Sequence, residues 1–410
     1  MRRTKGGPPA HAIAATALAA AAALVLASCG SGDEPAPKPT VSTARLGMTP
    51  GDGADAVAPD KPVTITVAGG IVATATVTAE DGSTVTGAYQ PGGATWTTTA
   101  PLKYGTKYTV QATGVDAHGL PSRGTETFTT LTPQSLVAAS KVTPGKGDTV
   151  GVGMPISIEL DHAVDDPAVR AAVERRLSVS ASVPIEGAWG WVDAKTVRFR
   201  PKDYWPAGTK VSVSGNLYGV SFGNGAYGAA GTTTDFTVGS ALVATVDSAA
   251  HEMTVVKDGE VVRTVPVTTG KPGFTTRAGT KVILDKEEHV LMDGTTVGIA
   301  EGSSDAYRLD VYWATRVTWS GEYLHAAPWS VSSQGSENVS HGCVGMSTDN
   351  AKWFFGISNV GDVVKVVNTG SDKTMELSGN GYGEWNYSWD EWLKTSTVGT
   401  VTTGALPAAA

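Results

Sequence analysis

Short runs of alternating apolar and polar residues, separated by Gly, Pro and Asp, limit the possible fold more than any other feature of the chain. They read PVTITVAGG, IVATATVTA, ATWTTTA, KYTVQATGV and TETFTTL in residues 62–131, then PISIELD, LSVSASV, KTVRFRP, KVSVSG and TTTDFTV in residues 155–238. A period of two with many Val and Thr residues is typical of strands that bury one face. The pattern therefore predicts a mainly β protein.

The two sets of runs also resemble each other, which indicates a tandem repeat. TGAYQPGGATWTTTAPLKYGTKYTV and EGAWGWVDAKTVRFRPKDYWPAGTKVSV share Gly-Ala-aromatic, a proline after a strand and then Gly-Thr-Lys. Gly105 and Gly208 are 103 residues apart, and Phe128 and Phe236 are 108 apart. This predicts two β-sandwich modules, with a short amphipathic helix over residues 166–179 in the second. Neither module holds a cluster of catalytic side chains, so we interpret both as spacers.

The first 30 residues have the layout of an export signal. Three basic residues within the first five positions precede an alanine-rich apolar run, which ends in LASCG. This ending resembles a bacterial lipobox, in which cleavage leaves the cysteine, here Cys29, as a lipid-bearing first residue. The alternative is an ordinary signal peptide with a chance cysteine. We expect the protein to be anchored to the cell membrane by lipid on Cys29, facing the cell wall, on a proline-rich tether.

Cys343 is the second of only two cysteines, and with Cys29 assigned to lipid it has no disulfide partner. An unpaired cysteine in an exported protein indicates a reactive thiol, against the alternative of a buried, inert one. A cysteine attacks as a thiolate and needs a base, and His325 and His341 both precede it closely. Gly342 allows a tight turn that brings backbone amides near the sulfur. These residues predict a Cys/His nucleophile site, with the choice of base between the two histidines open.

Other kinds of site are less favoured. His325, His341 and Cys343 would suffice for a zinc hydrolase, yet no Cys-x-x-Cys or His-x-x-x-His pair accompanies them. We therefore predict no metal and no cofactor. The formal net charge of −8 and the lack of a basic patch disfavour nucleic acid as a partner.

The region from residue 241 keeps the β pattern and ends in a tryptophan-rich tail. ALVATVD, EMTVVKDGEVVRTVPVTTG, KVILDKE and HVLMDG predict a meander with a hairpin turn at residues 257–259. STDNAKWFFG predicts a short helix with Ser347 or Thr348 as N-cap, and GDVVKVVNTG predicts a closing strand. WNYSWDEW in the tail suits a sugar-stacking site or, as we favour, an apolar latch packed on the preceding domain. The final STVGTVTTGALPAAA is expected to be a frayed end.

The stretch HAAPWSVSSQGSENVSHGCVGMS resembles the active-site motif of L,D-transpeptidases with a YkuD-type catalytic domain. Those enzymes carry a histidine, a spacer and then Ser/Thr-His-Gly-Cys, and here 14 residues separate His325 from Ser340. The likeness continues in NAKWFF, GDVVKVVNTG and AYRLDVYWATRVTWSGEYLH. It also extends to the layout of the actinobacterial multi-domain members.

The resemblance implies a mainly β fold and covers most of the chain after the signal. The implied segments are a lipoprotein signal peptide (1–28), a proline-rich tether (29–45), two tandem immunoglobulin-like β-sandwich modules (46–131 and 132–239), a β-rich YkuD-type catalytic domain (240–368) and a small tryptophan-rich C-terminal subdomain with tail (369–410).

By this resemblance, Cys343 is the nucleophile and His325 is its general base. His341 and Ser340 orient the turn around the nucleophile, and backbone N–H groups of Gly342 and Cys343 face the oxyanion. The implied substrate-lining residues are Tyr307, Trp329 and Met292.

Two positions depart from the family pattern. Ala326 follows the implied base where some close relatives have Ser. If the third member of the site acts through its backbone carbonyl, Ala serves as well; if it acts through a hydroxyl, the base is less well oriented. Gly345 stands two residues after Cys343, where Asn or Arg is common. A side-chain contact to the acyl donor is therefore missing, which affects the expected substrate preference more than the activity.

The resemblance further implies a peptidoglycan L,D-transpeptidase, an acyltransferase that makes 3→3 cross-links for cell wall organisation and cell shape. Cys343 would attack the donor stem tetrapeptide before its terminal D-alanine, and an acceptor amine on a neighbouring stem would take the acyl group. Alternatives are an L,D-carboxypeptidase that trims tetrapeptide stems, an enzyme that attaches a protein, and an inactive wall-binding lipoprotein. Acylation of Cys343 by carbapenems is also implied.

Overall fold

The computed structural model describes residues 40–406, so Cys29 and the signal segment lie outside the described residues. Strands account for 46% of the described residues and helices for 9%, which confirms the prediction of a mainly β protein. Within residues 40–406, no helix is long and apolar enough to cross a membrane.

The first module is a sandwich of two four-stranded sheets, ordered β1-β3-β6-β5 and β2-β8-β7-β4. Its strands are β1 (Arg45–Thr49), β2 (Ala54–Val57), β3 (Thr64–Ala68), β4 (Gly70–Ala79), β5 (Gly87–Tyr89), β6 (Thr95–Thr98), β7 (Lys107–Asp116) and β8 (Pro121–Thr130). Trp96, Tyr108 and Phe128 fill the space between the sheets, and the last two rings stack at 5.4 Å. The alternating pattern arises because each strand turns one face to this core.

The second module has eleven strands and one helix before the catalytic domain. They are β9 (Ser135–Val137), β10 (Ala139–Thr143), β11 (Asp148–Val150), β12 (Ile156–Leu160), α1 (Pro167–Glu174), β13 (Leu177–Ala181), β14 (Glu186–Trp191), β15 (Thr196–Pro201), β16 (Lys210–Gly215), β17 (Ser221–Gly223), β18 (Ala226–Gly228) and β19 (Thr232–Val238). The prediction of a helix up to residue 179 was wrong at its C-terminal end. Asp166 caps the helix as its side chain accepts from the Ala168 N–H, but the helix stops at Glu174 because β13 pairs with β16.

The catalytic domain has two sheets with a helix packed against both. Its elements are β20 (Leu242–Asp247), β21 (Glu252–Lys257), β22 (Glu260–Pro266), β23 (Gly279–Val282), β24 (Asp285–Asp293), β25 (Arg308–Arg316), β26 (Tyr323–Ala326), β27 (Val344–Met346), α2 (Thr348–Ile357) and β28 (Val363–Val367), with 3-10 turns at Gly294–Val297 and Pro328–Ser330. The sheets are β22-β21-β20-β28-β23 and β24-β25-β26-β27. Ser347 is the N-cap of α2, and buried Phe354 anchors this helix in the core.

The predicted meander is present only in part. Strands β20, β21 and β22 follow each other as antiparallel neighbours, and the hairpin turn lies at Asp258–Gly259. Strand β23 instead joins the other edge of the sheet next to β28, which itself runs parallel to β20. The closing strand β28 therefore lies between β20 and β23 and carries the apolar centre of the larger sheet.

The expectation of a frayed C-terminal end was wrong for the described residues. After a 3-10 turn (Glu384–Asn386) and the short helix α3 (Trp389–Leu393), the chain forms β29 (Thr400–Thr402) and β30 (Gly404–Ala405). Strand β29 pairs with β14 and β30 pairs with β13. The tail thus extends the two larger sheets of the second module, which become β10-β12-β15-β14-β29 and β11-β19-β16-β13-β30, whereas the small sheet β17-β18-β9 is left as it is.

The tail is a latch, but its main partner is the second module rather than the catalytic domain that precedes it. Trp392 is 0% exposed and donates from Nε1 to the Ala188 carbonyl oxygen at 3.2 Å. The Glu174 carboxylate accepts from the Thr397 N–H and Oγ1 and from the Trp191 indole. Stacking on a sugar is not available to a tryptophan buried in this way.

The second module is more than a spacer, because it shares a surface with the catalytic domain. The backbone N–H groups of Gly151 and Gly153 donate to the carbonyl oxygens of Val360 and Gly361 at 2.8 and 2.9 Å. Val363 of β28 packs into the apolar core of the second module. Together with the tail, this ties the module and the catalytic domain into one unit.

We expect Trp392→Ala to destabilise the protein by about 3 kcal/mol, because the substitution leaves a large cavity between α3 and β14. Differential scanning calorimetry of the purified protein measures the effect, and limited proteolysis reports release of the tail. Trp389→Ala is the matched control, because that side chain is only half-buried. Equal losses for the two variants would contradict a latch centred on Trp392.

Candidate active site

His325 is on β26, and Cys343 directly precedes β27, the neighbouring strand of the smaller catalytic sheet. Strands β26 and β27 run parallel, with Leu324 opposite Val344 and His325 opposite Gly345. This pairing brings the turn that ends at Cys343 next to the end of β26 that carries His325. The thiol and the imidazole both line one cavity.

The tautomer of His325 is set by a backbone hydrogen bond. Its Nδ1 lies 2.8 Å from the carbonyl oxygen of Ala326, and because a carbonyl can only accept, Nδ1 carries the proton. The ring is 5% exposed, and burial lowers its pKa below the usual 6.5. The imidazole is therefore neutral at pH 7, with its lone pair on Nε2. The backbone carbonyl of Ala326 serves as the third member, so a Ser hydroxyl is not required.

The Cys343 thiol is protonated at rest. Burial raises its pKa to about 12; the N–H of Tyr323 and the Lys281 ammonium favour the thiolate, whereas the Glu322 carboxylate disfavours it. The Sγ atom lies 3.6 Å from the Gly321 carbonyl oxygen, within reach of a weak S–H hydrogen bond. Attack by this sulfur consequently depends on a base that removes its proton.

Ser340 ties the turn that carries the nucleophile. Its Oγ donates to the Cys343 carbonyl oxygen at 2.6 Å and accepts from the Gly342 N–H at 3.1 Å. Thr276 Oγ1 donates to the Gly342 carbonyl oxygen at 2.9 Å. Gly342 has a φ of +122°, which favours glycine. The Gly342 N–H, which the family resemblance directs to an oxyanion, is thus engaged by Ser340 in this state.

The side chains around His341 differ from those around His325. Its ring packs 4.7 Å from the ring of Phe274 and 5.1 Å from that of Tyr307. Its Nε2 lies 3.5 Å from the Asp305 carboxylate, which also pairs with Lys271 at 2.7 Å. These contacts fix the ring beside the turn that carries Cys343. Across residues 40–406, no group of three or more His, Cys, Asp or Glu side chains is arranged to hold a metal ion.

The cavity over Cys343 and His325 has a volume of about 230 Å³ and is mainly apolar. Tyr307, Trp329 and Met292 all line it, as does His341. Gly345, which the sequence analysis placed next to the acyl donor, also lines it. Several further lining residues on strand β25 and in loops were not predicted from the sequence: Thr268, Leu309, Val311, Ala327, Ser330 and Val339. Leu309 and Val311 alternate along β25 in a pattern that predicts a strand, but nothing in the sequence indicated that their side of the strand would face the cavity.

Comparison with known proteins identifies the family. A bacterial Ig domain profile (Big_10) matches residues 54–221, and an L,D-transpeptidase catalytic domain profile (YkuD) matches residues 242–366. L,D-transpeptidase 2 of Mycobacterium tuberculosis is 39% identical over 341 residues, which is 83% of this chain and 82% of that protein. The chain belongs to the L,D-transpeptidase family. The resemblance noted in the active-site motif is thereby confirmed.

Two further similar proteins belong to the same family. L,D-transpeptidase 5 of Mycobacterium tuberculosis is 34% identical over 86% of this chain and 77% of its own length. A solved structure of LD transpeptidase LdtMt1 in complex with imipenem is 41% identical and spans 57% of this chain and 100% of its own, with a TM-score of 0.49. L,D-transpeptidases are acyltransferases that act on peptidoglycan stem peptides.

Gly345, the position that departs from the family pattern, is confined by its neighbours. Its N–H and carbonyl group exchange two hydrogen bonds with the backbone of Thr268, at 2.8 and 3.0 Å. A Cβ atom at this position would lie 2.9 Å from Thr268 Cγ2 and 3.1 Å from Ala327 Cβ. The glycine therefore permits close contact between β27 and the strand end at Thr268, and the cavity wall there is backbone instead of a polar side chain.

A buried charge network lies close to Cys343 and was not predicted from the sequence. Lys281 is fully buried, and its Nζ bonds Glu322 Oε2 at 2.7 Å. Glu322 Oε1 accepts from the backbone N–H and the Nη1 of Arg277, at 3.0 and 3.2 Å. Arg277 Nε donates to Glu376 at 2.9 Å. The partners come from three separate segments of the chain, around residues 277–281, 322 and 376, so no local sequence pattern predicted the network.

We expect Lys281→Met to destabilise the protein by about 3 kcal/mol, because it leaves the Glu322 carboxylate buried without its ammonium partner. The double variant Lys281→Met/Glu322→Gln should lose less, since the glutamine is neutral and its carbonyl still accepts from the Arg277 N–H. Calorimetric unfolding of the parent and the two variants measures both losses of stability. A double variant at least as destabilised as the single one would contradict a charge-based effect.

Proposed function

We propose that this L,D-transpeptidase joins peptidoglycan stem peptides by 3→3 cross-links through a thioester on Cys343. The observation that supports the proposal most strongly is the shared cavity of a protonated thiol and a neutral imidazole with a fixed tautomer. Nε2 of His325 takes the thiol proton, and Sγ attacks the carbonyl carbon between the third residue of a donor tetrapeptide and its D-alanine. The C–N bond breaks, the imidazolium protonates the leaving nitrogen, and the acyl group stays on Sγ.

The second half of the reaction returns the enzyme to its starting state. An amine on the third residue of an acceptor stem attacks the thioester carbonyl and forms the new C–N bond. The C–S bond breaks with its electron pair on sulfur, and the proton lost by the amine passes through His325 to Sγ. Water in place of the amine would give L,D-carboxypeptidase activity, and the apolar lining of the cavity favours the amine reaction by limiting access of water.

Analysis of the products that the purified protein makes from a stem tetrapeptide tests this function. We expect the purified protein to release D-alanine and to form a dimer that has lost one D-alanine, both detected by mass spectrometry. A tetrapeptide whose third-residue amine is acetylated is the control, because it can donate but cannot accept, so it should give no dimer. Tripeptide without dimer from the free tetrapeptide would indicate a carboxypeptidase, and no turnover would indicate a wall-binding protein without activity.

We also propose that lipid on Cys29, which lies outside the described residues, attaches the protein to the cell membrane. The support is the LASCG ending of the apolar run in the sequence. In cell fractionation, Cys29→Ala is expected to move the protein from the membrane fraction to the soluble fraction. The control Ser28→Ala should leave the protein in the membrane fraction. A membrane-bound Cys29→Ala protein would contradict lipid attachment at this residue.

A further inference from the structure

One short backbone segment, residues 321–323, contacts the sulfur of Cys343 from two sides. The Gly321 carbonyl oxygen lies 3.6 Å from Sγ and accepts the weak S–H hydrogen bond of the resting thiol. The N–H of Tyr323, two residues later, faces the sulfur and favours the thiolate. An acceptor for the thiol and a donor to the thiolate thus lie on either side of Glu322. The position of this segment therefore affects both states of the nucleophile.

Glu322 fixes the segment through its side chain and its backbone. Its buried carboxylate accepts from Lys281 Nζ at 2.7 Å on Oε2, and from the N–H and Nη1 of Arg277 at 3.0 and 3.2 Å on Oε1. The Glu322 N–H donates to Thr318 Oγ1 at 2.9 Å, and its carbonyl oxygen accepts from the Val317 N–H at 2.9 Å. These hydrogen bonds leave the residue little freedom to move.

The same network reaches the turn that carries the nucleophile. Thr276, the neighbour of Arg277, donates from Oγ1 to the Gly342 carbonyl oxygen at 2.9 Å. A Cβ atom on Gly342 would lie 3.9 Å from Glu322 Oε1, so the carboxylate lies directly beside this turn. His325 follows Glu322 by three residues along the chain and lies on β26. The network thus connects the strand of the proposed base with the turn of the nucleophile.

The charge of Glu322 and its hydrogen bonds have opposite effects on the nucleophile. The carboxylate raises the pKa of the Cys343 thiol, whereas the Lys281 ammonium lowers it. If Glu322 acted through its charge alone, it would therefore oppose formation of the thiolate. Its hydrogen bonds, in contrast, hold the backbone groups that contact the sulfur. Any benefit of Glu322 to the reaction must then come from geometry.

We propose that Glu322 is a positioning residue, which holds residues 321–323 against the sulfur so that Cys343 stays aligned with Nε2 of His325. This rests on the proposed function, in which the donor stem acylates Cys343. Misplacement of a reacting group by about 1 Å can lower a rate by about 10²-fold, so loss of this anchor slows acylation even where the thiol becomes more acidic. Glu322 itself makes no bond to the substrate and transfers no proton.

Two rates measured on the same variants separate position from charge. Acylation of Cys343 by a stem tetrapeptide, followed by mass spectrometry in a single turnover, depends on alignment with His325. Alkylation of Cys343 by iodoacetamide between pH 7 and pH 10 reports the thiolate fraction. Glu322→Gln should lower acylation by about 10- to 100-fold, because one of its two donors, Lys281 or Arg277, would face an amide NH₂ group. The same variant should be alkylated faster than the parent, because it lacks the negative charge beside the sulfur.

Thr318→Val and Glu322→Asp weaken the anchor without a change of charge. The first removes the acceptor of the Glu322 N–H at nearly constant volume, and the second shortens the side chain by one methylene group. Both should lower acylation by about tenfold and keep alkylation within about twofold of the parent. Glu186→Gln, which removes an exposed carboxylate paired with Lys202 in the second module, is the control and should keep both rates. Calorimetry checks that each variant is folded at the assay temperature.

The outcomes separate this inference from the proposed function. Acylation and alkylation that change in parallel in Glu322→Gln would overturn the positioning role, because the carboxylate would then act through its charge. Unchanged acylation in both Thr318→Val and Glu322→Asp would also overturn it, and these two variants decide the question if Glu322→Gln is unfolded. A parent protein that iodoacetamide alkylates at Cys343 but a tetrapeptide never acylates would overturn the proposed function, and this inference with it.

Discussion

Cys343→Ala is expected to lower D-alanine release from a stem tetrapeptide by more than about 10⁴-fold, because no other thiol lies in residues 40–406 to form the acyl-enzyme. The side chain is small and lies at the edge of the core around Val311 and Tyr323, so the fold should persist. The same variant should give no covalent adduct with a carbapenem. Steady-state D-alanine release and intact-protein mass spectrometry measure the two effects.

The matched control for this variant is Cys343→Ser, which keeps nearly the same volume but has a far weaker nucleophile. We expect it to be almost as inactive as the alanine variant while unfolding at the same temperature as the parent. If Cys343→Ala retained the parent's D-alanine release, a nucleophilic role for this cysteine would be wrong.

His325→Ala is expected to lower the rate of Cys343 acylation at pH 7 by about 10³-fold, because the buried thiol loses the base that removes its proton. The pH profile distinguishes this from a structural effect. In the parent, the rate should fall only below the ordinary imidazole pKa of 6.5, since burial lowers the pKa of His325. In the variant, the rate should climb steadily from pH 7 to pH 10, because the thiol pKa is raised to about 12 and the thiolate fraction keeps growing with pH.

Two outcomes would contradict the assignment of His325 as base. One is that the acylation rate of His325→Ala still falls at low pH as in the parent (the acid limb of the pH profile), which would indicate another titrating group. The other is a comparable loss in His341→Ala with the same change of pH profile, which would move the base to His341. An orienting His341, packed between Phe274 and Tyr307, should instead lower the rate without removing the acid limb.

The parts of the fold that sequence reasoning found are those with a local signal. Strands such as β7 and β16 bury alternate residues, and the N-cap of α2 is a serine directly before the helix. The strands β29 and β30 have three and two residues and gain their order only from β14 and β13, more than 200 positions earlier. A segment this short carries no period, so its place could not be derived locally.

The candidate site likewise contains residues that a local motif predicted and residues that only the fold brings together. Cys343, His325 and Ser340 belong to one short motif, and a family resemblance was enough to single them out. The Lys281–Glu322 pair joins two segments 41 positions apart, and Arg277 reaches Glu376 of the tail next to the bridge between Ala278 and Thr374. Charged residues are usually solvent-exposed, so a sequence alone gives no reason to bury these.

The central claim is that the acyl group travels through Cys343, and rapid-quench mass spectrometry tests it most directly. The protein is mixed with a stem tetrapeptide, quenched in acid during the first turnover and digested. The account predicts that the peptide containing Cys343 gains the mass of the donor acyl group without D-alanine, and that this adduct decays as dimer appears. Release of D-alanine with no adduct on that peptide at any time point, or with an adduct on another residue, would contradict it.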